Sequence, residues 1–197
     1  YVGRWDRTDP SVFHSYWTGA YLRVGFTGTS AKIKLAAGTN LSVSIDGEPL
    51  RDVNAGAGVT DLAAGPLAPG AHTLLAASQG QNFEIAFQGL VLEAGAETRP
   101  TPARPIVEFV GDSISAGVNG NYCWQTGEAL NVDHVQISFS GVALTSKFGC
   151  LPDKTGLDVQ YFRLKNFNHG DDNPPVAWNF AYTPQVIVIN LGQNDQC

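Results

Sequence analysis

From residue 20 the chain alternates. "AYLRVGFTG" sets Leu22, Val24 and Phe26 against Tyr21, Arg23 and Gly25. "AKIKLAAG" sets Ala31, Ile33 and Leu35 against Lys32 and Lys34, and "LSVSIDGEPL" repeats the period with Leu41, Val43 and Ile45. A period of two predicts half-buried strands, and Asp46-Gly47 is a hairpin signal. "PLAPGAHTLLAAS" and "NFEIAFQGLVLEAG" supply at least two more strands. Strands at this spacing, with no helical period between them, predict an all-β sandwich or jelly roll over residues 1–95.

"GAETRPTPARP" breaks the pattern. Its prolines exclude a central strand or a helix interior, so residues 96–105 read as a short, stiff connector, the alternative being an ordinary sandwich loop. Beyond it, "IVEFVGDS" and "PQVIVINLGQND" are short apolar runs that end in polar turns, the pattern of parallel strands buried on both faces. Mixed patterning between them leaves room for a helix around residues 142–149. Residues 106–197 therefore read as a second domain, of α/β class.

Composition narrows the function. A chain of 197 residues with 43% hydrophobic content suits one or two domains with real cores. A net charge of −6 with 12 basic residues argues against a nucleic-acid or anionic-membrane partner. No apolar run reaches the ~20 residues that span a bilayer. An acidic surface suits neutral substrates such as sugars. The chain has no methionine, so Tyr1 reads as a processed end; removal of a secretory signal is the commonest such processing, and an artificial boundary is the alternative. Its three cysteines, Cys123, Cys150 and Cys197, are an odd set: in a secreted protein two pair and one is left over. Asn40-Leu41-Ser42 is a glycosylation sequon, used only in a secreting eukaryote and frequent by chance.

The chemistry concentrates at strand ends. Parallel sheets keep their ligand sites on the carboxyl edge, and Gly111-Asp112-Ser113 closes the run "IVEFV" there. Gly111 permits a tight turn, and backbone N–H groups following it would face Ser113, a geometry that suits a nucleophile whose attack creates an oxyanion. Alone, the triplet reads equally as an ordinary turn or N-cap. "VIVINLGQND" brings Gly192, Asn194 and Asp195 to the same edge, where an asparagine amide can donate to a developing negative charge. "HVQISFSGVAL" places Ser140-Gly141 at a third such junction.

Gly-Asp-Ser, then Ser-Gly, then Gly-x-Asn-Asp resembles the first three blocks of the SGNH (GDSL) hydrolases. A β-sandwich of about 100 residues ahead of such a domain is similar to carbohydrate esterase family 2, whose members deacetylate plant cell-wall polysaccharides. "VGRWDRTD…HSYWTGAYLRVGFTGTS", "LAPGAHTLLAAS" and "VIVINLGQND" all fit that pattern. The resemblance implies a jelly roll followed by a flavodoxin-like SGNH hydrolase domain. It implies Ser113 as nucleophile, and the Ser113 N–H, Gly141 N–H and Asn194 as oxyanion donors. It implies no metal or organic cofactor. Asp112 and Asp195 read as supports of their turns.

One block is missing. The family's catalytic histidine follows well after Gly-x-Asn-Asp, whereas this sequence stops three residues past Asn194. The expectation is a truncated hydrolase domain whose remaining C-terminal segment supplies the histidine and partners Cys197. His14 and His72 read as surface or turn residues of the sandwich. His134 precedes its strand, at the wrong end, and His169 reads as a solvated loop residue beside Asp171 and Asp172. Cys123 and Cys150 are candidates for a disulfide worth about 3–4 kcal/mol in loop entropy, which would pin the loop "NGNYCWQTGEALN" beside Ser113. Tyr122, Trp124 and Trp178 are candidates for stacking on a sugar, with core packing as the alternative. Together these readings predict a secreted, extracellular carbohydrate O-deacetylase acting on acetylated polysaccharide. The rivals are another SGNH lipase, esterase or thioesterase, and a carbohydrate-binding protein with an inactive hydrolase half.

Overall fold

The alternating segments form two antiparallel sheets in a computed structural model that describes residues 1–81, 84–147, 149–150, 155–169 and 174–196. One sheet joins β1 (Phe13–Ser15), β8 (Ile85–Val91), β3 (Lys32–Leu35) and β6 (Gly58–Asp61) in that order. The other joins β5 (Arg51–Ala55), β4 (Thr39–Ile45), β7 (Ala71–Ser78), β2 (Tyr21–Thr27) and β9 (Thr98–Arg99). Between them lies a core of Leu22, Phe26, Ile33, Leu35, Leu41, Val43, Leu74 and Ile85, the apolar phase of the alternation. The expected hairpin joins β4 to β5. Asp46 and Gly47 both take positive φ (56° and 77°), and the Glu48 N–H closes on the Ile45 carbonyl at 3.1 Å, as a primed turn requires. The connector is partly a strand. Thr98–Arg99 pairs with Gly25–Phe26 at the sheet edge, where the prolines that follow interrupt no ladder.

The second half builds a three-stranded parallel sheet with β10 (Ile106–Gly111) between β11 (Asp133–Ser138) and β12 (Val186–Asn190). Its main helix, α1, spans Tyr122–Leu130, within the segment expected to be a loop. The Asn121 side chain caps it by accepting the Cys123 N–H at 2.8 Å, and Asn131 closes it in the left-handed conformation. Among the described residues of 142–149, where a helix was expected, none forms. The described residues there are turns, with Lys147 and Gly149 at positive φ, and a short α2 follows at Leu157–Gln160.

The two halves share a buried cluster. Tyr16, Trp17, Tyr21 and Ala77 from the first pack with Val110, Trp124, Val135, Ile137 and Phe139 from the second. Polar bonds seal the contact. Arg23 forms a bidentate pair with Asp133 (3.1 and 2.9 Å), and Asp133 also accepts from the Tyr21 hydroxyl at 3.1 Å. Arg4, fully buried, donates to the carbonyls of Tyr161 and Arg163 and stacks on Trp17. The Trp17 indole donates to the Leu164 carbonyl at 2.8 Å. By contrast β12 is an edge strand whose Val186, Ile187 and Ile189 stand 52%, 48% and 68% exposed.

Candidate active site

Register places three strand ends at one level. Gly111, the last residue of central β10, lies opposite both Ser138 of β11 and Asn190 of β12. The loops carrying Ser113, Gly141 and Asn194 therefore leave the same carboxyl edge. Ser113 opens a 3₁₀ turn, Ser113–Ser115, capped by Asp112, whose Oδ1 accepts the Ile114 N–H at 3.0 Å. Asp112 is 3% exposed, whereas Ser113 is exposed and its hydroxyl has no partner among the described residues. Gly111 matters here through space, not φ. A Cβ there would run into the Ser115 side chain and come within 2.8 Å of the Asn190 carbonyl, so only glycine lets the turn fold back over the strand.

The other two blocks are bonded to each other. Gly141 takes positive φ (76°) in the turn after β11, and Asn194 sits in a 3₁₀ turn, Gln193–Gln196. Asn194 Nδ2 donates to the Val142 carbonyl at 3.0 Å, and its own carbonyl accepts the Cys150 N–H at 3.0 Å. The Asp195 carboxylate accepts the N–H groups of Leu144 (2.8 Å) and Thr145 (3.1 Å). One amide hydrogen of Asn194 thus anchors the loop, and the amide carries a second.

Several expected residues sit elsewhere. Trp124 (4% exposed) packs edge-on against Tyr21 and His134, and Trp178 (6%) lies against Tyr182 and the Arg4 guanidinium. Both are core residues, the packing alternative. Tyr122 is half-buried, edge-on to Phe109, with its hydroxyl 2.9 Å from Ser115 Oγ. The Cys123–Cys150 disulfide does not form. Cys123 is a free, fully buried thiol that donates to the Ser115 carbonyl at 3.5 Å, and burial pushes it up to about 11. Cys150 is exposed, in the loop held by Asn194, and its sulfur is bonded elsewhere. Cys197 lies outside the described residues. Asn40 is half-buried on β4, its side chain accepting from Asn54 at 2.8 Å.

No described histidine stands at the carboxyl edge. His134 is fully buried near the start of β11, opposite Val107, about 13 Å along the strand from Ser138. It faces Glu128 at 3.4 Å, and that hydrogen bond holds the Glu128 carboxyl below its ordinary value. His169 ends a 3₁₀ turn against the Tyr16 ring, and burial lowers it below 6.5; Asp171 and Asp172 lie outside the described residues. His14 lies on β1 and bonds Glu84, while His72 on β7 bonds Asp46 at 2.6 Å. Among the described residues no three His, Cys, Asp or Glu side chains converge as a metal site. Sequence reasoning missed Ser115, Asn121 and Asn190. Asn190 closes an apolar run, Ser115 lies in the polar turn after one, and the signal at Asn121 is that of a helix N-cap.

A β-sandwich is packed on a parallel sheet, and the loops carrying Ser113, Gly141 and Asn194 leave one edge of that sheet. The profile "Carbohydrate esterase 2 N-terminal" matches residues 1–102. The chain belongs to carbohydrate esterase family 2. It is 30% identical over 221 aligned residues to the cellulase/esterase CelE of Acetivibrio thermocellus, covering 99% of this chain and 26% of that protein. It is 26% identical to the acetylxylan esterase/glucomannan deacetylase of Cellvibrio japonicus, covering 93% of this chain and 56% of that one. Among solved structures, a family two carbohydrate esterase from Clostridium thermocellum in complex with cellohexaose superposes with a TM-score of 0.81 at 29% identity, covering 99% of this chain and 66% of that one. The chain thus spans about a quarter to two thirds of the lengths of these relatives.

Proposed function

We propose that the protein is a carbohydrate O-deacetylase using Ser113 as nucleophile. The observation that carries this reading is the register of Gly111, Ser138 and Asn190, which brings Ser113, Gly141 and Asn194 off one sheet edge. Ser113 Oγ attacks the acetyl carbonyl carbon as a general base takes its proton. The carbonyl oxygen becomes an oxyanion facing the N–H groups of Ser113 and Gly141 and the free Asn194 amide hydrogen. Collapse expels the sugar hydroxyl, which regains the proton, and water then hydrolyses the acetyl-enzyme to acetate.

The general base in this reading is a histidine from a C-terminal segment beyond Cys197. Two facts support it: the described histidines lie away from the edge, and the side chains of β12 are uncovered. The substrate class, acetylated xylan or glucomannan, follows the activities named for the relatives. Such polymers cannot enter a cell, so the reading carries secretion with it.

In the full-length protein, Ser113→Ala should cut acetate release from acetylated xylan and 4-nitrophenyl acetate by at least about 10³-fold. Unchanged turnover would end the proposal. A preference for long acyl chains over acetyl would transfer the site to the lipase reading.

A further inference from the structure

We propose that Tyr122 is a positioning residue: it acts through Ser115 and Asn190 to hold the Ser113 turn in place. The inference rests on the reading of Ser113 as nucleophile. The Tyr122 hydroxyl lies 2.9 Å from Ser115 Oγ and accepts from Asn190 Nδ2 at 3.5 Å. Asn190 ends β12, two residues before the Gly192 turn that leads to Asn194. Ser115 ends the Ser113 turn, and its carbonyl accepts from Ser138 Oγ, the last residue of β11, at 2.9 Å. One phenol thus joins the nucleophile's turn to the strand leading to Asn194, and Ser115 continues the link to the strand leading to Gly141.

The start of α1 is clamped to the same turn from a second direction. Asn121 Nδ2 donates to the Ile114 carbonyl at 2.9 Å while its Oδ1 caps the helix. Tyr122, the first helical residue, is therefore held on both its backbone and its ring, the ring edge-on to Phe109 at 5.9 Å. Burial raises the phenol above its ordinary value, so at neutral pH it keeps its proton. It accepts from Asn190 and shares a hydrogen bond with Ser115 Oγ in which either hydroxyl can donate. Ser115 itself is fully buried beneath the space that glycine leaves at 111. A shift of its side chain would carry the whole Ser113–Ser115 turn with it, and misplacement of about 1 Å costs up to roughly 100-fold in rate.

The test uses the full-length protein with 4-nitrophenyl acetate and acetylated xylan. Tyr122→Phe keeps the ring contact and removes the hydroxyl. kcat and the single-turnover acylation rate should fall roughly 10- to 100-fold, with KM within about twofold and the thermal midpoint unchanged. Ser115→Ala removes the same bond from the other side, and the double variant should be no slower than the slower single one. Wild-type kcat in Tyr122→Phe, a raised KM with kcat preserved, or additive losses in the double variant would overturn the proposal. If either single variant folds poorly, the one that folds decides by its kcat. Full activity in Ser113→Ala would instead sink the nucleophile reading, and this inference with it; an inactive Ser113→Ala beside a normal Tyr122→Phe would sink this inference alone.

Discussion

Gly111 shows how a single residue can be read correctly for the wrong reason. The sequence suggested that glycine was needed for a turn, yet Gly111 is the last strand residue, and what it supplies is room for the Ser115 side chain. Gly111→Ala would press a methyl into Ser115 and the Asn190 carbonyl. Overpacking of this kind costs about 1–3 kcal/mol, and here the displaced group is the turn that carries Ser113. The variant should unfold at lower urea concentration, and esterase activity should fall by more than the loss of folded protein accounts for. A normal urea midpoint would show that the turn can slide. Trp124 and Trp178 fail in the opposite way. An aromatic residue near a site reads as a platform until burial is known, and only tertiary packing decides it.

Loops are held here by carboxylates as well as by backbone pairing. Asp195 reaches back to two backbone N–H groups of the 142–149 segment, and Asn194 beside it bonds Val142. This explains why the described part of that segment is turns although its mixed pattern allowed a helix: its N–H groups at Leu144 and Thr145 are satisfied from outside rather than by a preceding helical turn. Asp195→Ala removes both bonds and leaves two donors to find water. A loss of about 1–3 kcal/mol is expected, with faster amide hydrogen exchange at Leu144 and Thr145 and, on the function proposed above, lower kcat. Unchanged exchange at both amides would remove Asp195 from this role. Helix α1 was missed because its apolar residues cluster at Tyr122–Trp124 and Ala129–Leu130 instead of recurring at helical spacing; its signals are the Asn121 cap and the Asn131 stop, which lie at the level of single side chains.

Across the whole molecule the five-stranded sheet is covered on both faces. Leu22, Phe26 and Leu74 face the sandwich core, while Tyr21, Leu75 and Ala77 face the parallel sheet. Residues on both sides of the Pro-rich connector therefore share one core, and calorimetry should show a single cooperative unfolding transition. Two separated transitions would contradict it. The Arg23–Asp133 pair lies at this junction with side chains 8% and 11% exposed. Asp133→Ala strands the arginine and should cost about 3–5 kcal/mol, because an uncompensated charge remains nearly buried. Adding Arg23→Met should restore part of that loss. Additive losses would show that the pair is effectively solvated.

Local features of this protein were legible in its residues, because period, turn and cap chemistry act within a few positions. The sandwich strands, the Asp46-Gly47 hairpin, the parallel strands and the three junctions at Ser113, Gly141 and Asn194 all came from that range. Tertiary structure decided what the non-core phase of β2 faces. Tyr21 and Arg23 looked like a solvent side and proved to be an interface, because their partner Asp133 lies 110 residues or more further along the chain. The same holds for Cys123. Spacing permitted a bond to Cys150, but α1 turns the thiol inward onto the Ser115 carbonyl, while Cys150 stands in the loop that Asn194 holds. Sequence spacing limits which groups can meet, and the packing of distant elements selects which of them do.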